Sequence, residues 1–265
     1  DYADSTINDL KYSENDVLDL AKKFSSMKSD YDTINIKTYT GEDVTAANIK
    51  AAKDLVKNAT VDDTVILFIS GHGIHDSDEF KTYYYLTQNT DMNNLKDTAA
   101  DFDMIEDILA GINPRKKLLL MDTCDSGELD DFAGKKIVAY EDKTGNKGIP
   151  RTPKGIAVEY ADKRGYFDRG RYIYNDLFRR TGAVVFSSSK GGEVSWEYDS
   201  LKNGAFTEAM LEGLSGKADT DNNGRVTVDE LQDYVSKGVI NYTDSKQHPV
   251  IDRDNIYVKI ELPVR

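Results

Sequence analysis

Basic residues are in the minority: 34 Lys and Arg stand against 47 Asp and Glu, leaving a formal net charge of -13. A phosphate binder needs a basic face from which counterions are released, so nucleic acid is excluded as the main partner. Cationic ligands, basic peptides or metal ions, are favoured instead. Cysteine is all but missing. The single Cys124 cannot close an internal disulfide and gives no sign of an oxidising compartment, yet it leaves a free thiol for chemistry. No apolar run reaches membrane-spanning length and no basic-then-apolar start resembles a signal peptide. A membrane partner is therefore not expected, and the cytoplasm is the expected setting. Internal repeats and low-complexity tracts are also lacking, which speaks against a repeat array.

What is present is 265 residues, 39% of them hydrophobic, enough to bury one substantial core in a single α/β domain spanning 1–265. Val17, Leu18, Ala21 and Phe24 recur at helical spacing between Tyr12 and Met27, with Ser13 and Asp16 resembling a capping pair. A β-rich run, Ile34 to Tyr39, precedes a second helical pattern, Thr45 to Asn58. Thr64 to Ile69 and Lys117 to Met121 are continuously apolar, as strands buried on both faces are, and a helical stretch from Asp101 to Ile112 separates them. A helical segment, Tyr172 to Arg180, leads into a further run, Ala183 to Phe186. This alternation predicts an α/β fold with an open, mainly parallel sheet and helices on both faces. Between Glu128 and Gly170 the composition shifts to Gly, Pro, Lys and Arg, so 128–170 reads as a long exposed insertion.

In such a sheet the loops leaving the carboxyl ends of adjacent strands form the ligand crevice. One is Ile69-Ser70-Gly71-His72-Gly73, where two glycines let the backbone turn around an imidazole. The other is Leu119-Leu120-Met121-Asp122-Thr123-Cys124-Asp125-Ser126-Gly127. A cysteine needs a neighbouring base to reach its thiolate, and His72 on the adjacent loop supplies it, making Cys124 and His72 the candidate nucleophile and general base. Backbone N–H groups of Gly73 and Cys124 are the candidate oxyanion donors. A lone strand-end cysteine is ordinarily core filler; the two motifs together argue otherwise. They resemble the signatures of the caspase-like cysteine peptidases, a family including caspases and metacaspases, in which one strand ends in Ser-Gly-His-Gly and another in Asp-x-Cys-x-Ser-Gly. The likeness covers nearly the whole chain, because Ser187-Ser188-Ser189 with Glu193-Val194-Ser195-Trp196-Glu197 looks like the family's substrate-lining loop. It implies a cysteine endopeptidase acting through a Cys-His dyad and an acyl-enzyme intermediate. His75 competes for the role of base, but loop position favours His72. With one cysteine and no third clustered histidine a zinc site is not expected, and His248 beside Pro249 reads as structural.

The resemblance also bears on specificity. Caspases that cut after aspartate line their pocket with arginines, whereas this chain carries Asp122 and Glu197 at the two places that align closely. Metacaspases use an aspartate of an early Asn-Asp pair, a serine in the histidine motif and the aspartate before the cysteine. Asn15-Asp16, Ser70 and Asp122 match that pattern, so the closest likeness is to bacterial metacaspase-like proteins. The implied partners are proteins or peptides with Arg or Lys before the scissile bond. Carboxylates converging in a partly dry pocket repel one another until a guanidinium or ammonium arrives, which makes cation selection strong. The candidate substrate-binding residues are Asp16, Ser70, Asp122, Ser195, Trp196 and Glu197. Blander roles stand beside these: Asp16 as a carboxylate complementing a helix dipole, Trp196 as simple packing.

The insertion carries Lys147, Arg151, Lys154, Arg164 and Arg169 where caspases have their processing linker, and an Arg/Lys-specific enzyme has sites there to cut itself. Arg151 is the candidate, because Pro150 and Pro153 keep its surroundings extended. The alternative is a solvated loop that balances an acidic surface. Residues 219–230 match the twelve-residue EF-hand loop: Asp219, Asp221 and Asn223 offer side-chain oxygens, Arg225 its carbonyl, Thr227 a direct or water-bridged ligand, and Glu230 a bidentate carboxylate, with Gly224 at the turn. Helical patterns from Ala205 to Leu214 and Val228 to Ser236 flank it. Ca2+ is thus the expected cofactor, a structural brace more than a sensor since a single loop has no partner hand. A metal-free Asx-rich turn capping the second helix is the alternative.

In the family a hydrophobic strand precedes the segment that Asp1-Tyr2-Ala3-Asp4 resembles, so the expectation is a portion of a longer protein that also carries a sensor or repeat domain. Two other functions stay open: an inactive caspase-like scaffold that binds calcium or protein partners, and a cysteine hydrolase acting on a non-peptide acyl group.

Overall fold

A computed structural model describes residues 1–75, 82–123, 151–153, 181–190, 193–252 and 259–264, with only the backbone of residues 75, 151–153 and 252. Cys124, nearly all of the 128–170 insertion and the 172–180 helical segment lie outside these residues. The helices are α1 (Ser13–Ser25), α2 (Ala46–Ala51), α3 (Lys53–Val56), α4 (Leu95–Thr98), α5 (Phe102–Leu109), α6 (Ala205–Glu212) and α7 (Val228–Tyr242). The strands are β1 (Thr64–Gly71), β2 (Gly73–His75), β3 (Tyr83–Tyr85), β4 (Ala100–Asp101), β5 (Lys116–Thr123), β6 (Arg151–Pro153), β7 (Val184–Ser187), β8 (Trp196–Tyr198), β9 (Asn203–Gly204), β10 (Arg225–Thr227), β11 (Val250–Asp252) and β12 (Glu261–Pro263).

The central sheet runs β1-β5-β7-β11, with β1, β5 and β7 parallel and β11 antiparallel to β7. Side chains alternate across a strand, so one sequence feeds two cores. Leu118 and Leu120 of β5 join Ile66 and Phe68 of β1 on one face, against Leu20 of α1, Phe206 and Met210 of α6, and Leu231 and Val235 of α7. Leu119 and Met121 join Leu67 and Ile69 on the other, against Phe102, Ile105 and Leu109 of α5. Burial on both faces is why these strands are apolar throughout. A mainly parallel sheet with helices on both sides is thus the observed architecture, as expected. Among the described residues, no helix is long and apolar enough to cross a membrane.

One expected strand is corrected. Ile34–Tyr39 has strand-forming residues but joins no ladder among the described residues, where β1 pairs with β5 alone. A strand is defined by its backbone partners, and composition cannot supply them. The edge position of β1 shows in its half-exposed interior, whereas β5 is buried from Lys117 onward. The Thr45–Asn58 pattern is divided between α2 and α3, with the Thr45 hydroxyl accepting the Asn48 N–H as the cap of the first.

Candidate active site

Strands β1 and β5 end side by side, with Ser70 paired to Asp122 and Gly71 to Thr123 in the register. Ser70 follows Ile66 and Phe68 on the α1 face by the two-residue period, and Asp122 follows Leu118 and Leu120. Both polar groups therefore extend an apolar row at the carboxyl edge of the sheet. Asp16, in the first turns of α1, meets them there: Ser70 Oγ donates to Asp16 Oδ2 at 2.8 Å, and the Gly204 N–H donates to Oδ1 at 2.7 Å. Asp122 accepts from Ser195 Oγ at 2.8 Å on Oδ1 and from Thr207 Oγ1 at 2.6 Å on Oδ2. Asp16, Asp122 and Ser195 are each fully buried and Ser70 nearly so. Burying carboxylates is costly unless hydrogen bonds compensate, and here hydroxyl and backbone donors from three elements and the loop before β8 converge on them.

Gln247 fixes the loop that brings Ser195. Its Nε2 donates to the Ser188 carbonyl and to Ser195 Oγ, and its Oε1 accepts the Trp196 N–H. His248 anchors the same loop by binding Glu193 through both its N–H and Nδ1, which is the structural role expected of it. Trp196 is 3% exposed within the α1-face core, with Lys246 Nζ 5.8 Å from its ring centroid. Glu197 turns toward the amino end of α1, where its two oxygens accept the N–H groups of Lys11 and Tyr12. That satisfies donors a helix start leaves orphaned and sets its charge at the positive end of the dipole. Asn15 donates to the Lys202 carbonyl; with Ser70, Tyr2, Tyr39 and Tyr85 it also lines a cavity of about 230 Å3.

His72 follows directly and is 1% exposed. Its Nε2 lies 2.7 Å from the Asn8 carbonyl oxygen, and its ring stacks on Tyr2 at 5.2 Å between centroids. A carbonyl only accepts, so Nε2 carries a proton, and in the neutral tautomer of the ring the lone pair is on Nδ1. Tyr2 Oη accepts the His72 N–H, and burial pushes its phenol well above the ordinary tyrosine range, keeping it protonated. Gly71 is required by packing: a Cβ there would sit 2.9 Å from the Tyr85 ring, whose hydroxyl donates to the Ser70 carbonyl. Gly73 pairs with Tyr85 at the start of β2, and His75 pairs with Tyr83. Beyond Thr123, whose hydroxyl is 2.8 Å from that of Tyr83, the chain continues to Cys124 outside the described residues.

Sequence reasoning singled out the carboxylates together with Ser70 and Ser195, but not the other groups that hold them and the histidine. Thr207, Gln247 and Asn8 lie in segments with no motif, Tyr2 lies in a segment noted for its likeness alone, and the roles of all four exist only through contacts remote in sequence.

The EF-hand-like loop adopts a saturated turn. Asp219 accepts the N–H groups of Asn223 and Gly224, Asp221 that of Asn223, and the Asn223 side chain that of Arg225. Glu230 forms a capping box with Thr227 at the start of α7 and also accepts from Thr220, which holds its carboxyl down at about 2. One ligand atom from each of Asp219, Asp221 and Glu230 falls within 4.8 Å of the others. Gly224 has φ +80°, the left-handed value the turn requires. In place of a second hand, β10 pairs antiparallel with β12.

No curated protein matches the chain. The family model described as the caspase domain matches residues 1–260.

Proposed function

The chain belongs to the caspase-domain family of cysteine peptidases, whose substrates are proteins, and we propose that it is an endopeptidase cutting after Arg or Lys by a Cys124-His72 dyad. The observation that carries this reading is the pair of buried carboxylates, Asp16 and Asp122, held by Ser70, Ser195 and Thr207 at the edge where His72 is also fixed. A P1 guanidinium or ammonium fits such a site because it would offer the two carboxylates direct, charge-assisted bonds. Asp before the scissile bond would add a third negative charge and is disfavoured. Chemically, Nδ1 of His72 takes the Cys124 proton while the Asn8 carbonyl steadies the imidazolium that results. The thiolate attacks the peptide carbonyl, Gly73 and Cys124 N–H groups receive the oxyanion, and His72 returns the proton to the leaving amine. Water then completes hydrolysis.

A panel of fluorogenic peptides with Arg, Lys, Asp or Leu at P1 tests it. Turnover of the Arg and Lys peptides, lost in Cys124→Ala and His72→Ala, is the expected result. Preference for Asp sinks the specificity, and undiminished activity in Cys124→Ala sinks the mechanism. A chain inert to every peptide would favour the scaffold reading.

We also propose that residues 219–230 bind Ca2+ as a brace beneath α6 and α7. The oxygen-only donor set and the left-handed Gly224 support it, and a bound ion would add electrostatic support to a loop now held by its own hydrogen bonds. Millimolar Ca2+ is expected to raise the melting temperature of the wild type and not that of Asp219→Ala. An unmoved wild type rejects the site.

A further inference from the structure

Gln247, in the connection between α7 and β11, is completely buried although its side chain is polar. Its backbone is tied to the end of α7: the Gln247 N–H donates to Thr243 Oγ1, and that hydroxyl donates to the Val239 carbonyl. The side chain then has one orientation, set by its partners. The Trp196 N–H can only donate, so it faces Oε1 at 3.0 Å, and the Ser188 carbonyl can only accept, so it faces Nε2 at 2.9 Å. The second Nε2 hydrogen goes to Ser195 Oγ at 3.1 Å.

Ser195 is thereby given a direction. Its oxygen receives from Gln247, and its own hydrogen turns to Asp122 Oδ1 at 2.8 Å. The donors run one way, from amide to hydroxyl to carboxylate. Such a chain polarises its middle member, because an amide hydrogen on the hydroxyl oxygen makes the hydroxyl a better donor. Asp122 is held on Oδ1 by this aimed hydroxyl and on Oδ2 by Thr207. A carboxylate whose plane is fixed through both oxygens is oriented before a cation arrives, so less ordering is left to occur on binding.

We propose that Gln247 is a positioning residue for P1 recognition, acting on Asp122 through the hydroxyl of Ser195. This rests on the peptidase reading above and deepens it, adding to the pocket a residue that acts on the substrate only through another side chain. Two consequences separate this role from packing. Loss of the amide weakens substrate affinity and leaves turnover alone, because His72 is outside the relay. The loss also disappears where residue 195 has no hydroxyl to aim.

Gln247→Met keeps the length of the side chain and removes its donors and acceptor. Steady-state kinetics on an Arg and a Lys peptide compare the full wild-type chain with Gln247→Met, Ser195→Ala and the double variant. Expected are a KM raised about tenfold in each single variant, kcat within about twofold of wild type, and a double variant no worse than Ser195→Ala. A lower melting temperature with unchanged KM in Gln247→Met makes the amide a support of the loop alone and overturns the proposal. A Gln247→Met penalty on KM that adds in full to that of Ser195→Ala overturns it too. Should Gln247→Met not fold, Gln247→Glu decides, since it keeps the oxygen that accepts the Trp196 N–H and lacks the amide hydrogens. Its added charge by itself favours a cation, so a raised KM reports the lost donor, and a KM not raised overturns the proposal. In each of these cases wild-type turnover of the Arg peptide leaves the peptidase reading standing. A wild type inert toward both peptides overturns that reading and this proposal together.

Discussion

Thr207 donates to an aspartate 85 residues away, and that bond is its whole claim on function. Removing the hydroxyl leaves the fully buried Asp122 with one donor fewer on Oδ2, at a cost of about 1.5–3 kcal/mol for a bond to a charged group. Thr207→Val is therefore expected to lower kcat/KM for an Arg peptide by roughly tenfold to a hundredfold, mostly through KM, with Thr207→Ser restoring it. A Thr207→Val enzyme with unchanged KM would make the bond merely structural. Gly71 is a residue of the opposite kind, defined by lack of room. Gly71→Ala drives a methyl into the Tyr85 ring and should cost about 1–3 kcal/mol, read as a lower midpoint in urea at constant slope.

Among the elements, α7 shows how a local sequence specifies its own start. Thr227 and Glu230 cap each other reciprocally, and the bonds from Thr220 and Thr227 depress the Glu230 carboxyl to about 2. A carboxyl depressed on folding contributes stability in full above its unfolded value and loses it as pH falls toward the folded one. In calcium-free buffer the melting-temperature deficit of Glu230→Gln should be complete at neutral pH and shrink progressively from pH 4.5 to about 2. A deficit constant across that range would mean that shape, not charge, is what Gln fails to supply. β5 makes the contrasting case, because its Lys117 is a charge at the start of an apolar strand. The ammonium, 6% exposed, donates to the carbonyl of Thr181 at 2.6 Å and to that of Leu109 at the end of α5. A cation there complements the carboxyl end of the helix, which is how a charged residue is accommodated in a buried row.

For the molecule as a whole, the charge of -13 should speed the encounter with cationic peptides through a field that salt screens. Raising ionic strength from about 0.01 M to about 0.3 M is expected to lower kcat/KM for an Arg peptide about threefold or more, with kcat unchanged. A flat profile would assign cation selection to the buried carboxylates alone. Much was legible in one dimension. Alternating or continuous apolar runs set the parallel strands, because burial on two faces demands them, and the Gly-flanked His72 and the EF-hand-like spacing are local patterns that a chain carries wherever it folds. Ile34–Tyr39 marks the limit of that reasoning, since strand propensity cannot say whether a ladder partner is present. Glu197 and Asp122 mark another: both are acidic residues beside a motif, yet one engages the start of α1 and the other meets Ser195 and Thr207. By itself the sequence determined which residue types stand at the ends of the strands, since periodicity and glycine placement are properties of neighbours in the chain. Only the tertiary structure decided that Thr207, Gln247, Asn8 and Tyr2 hold them, and that β6 lies on β8. Hydrogen bonds and ladders between remote segments are fixed by packing, on which spacing along the chain is silent.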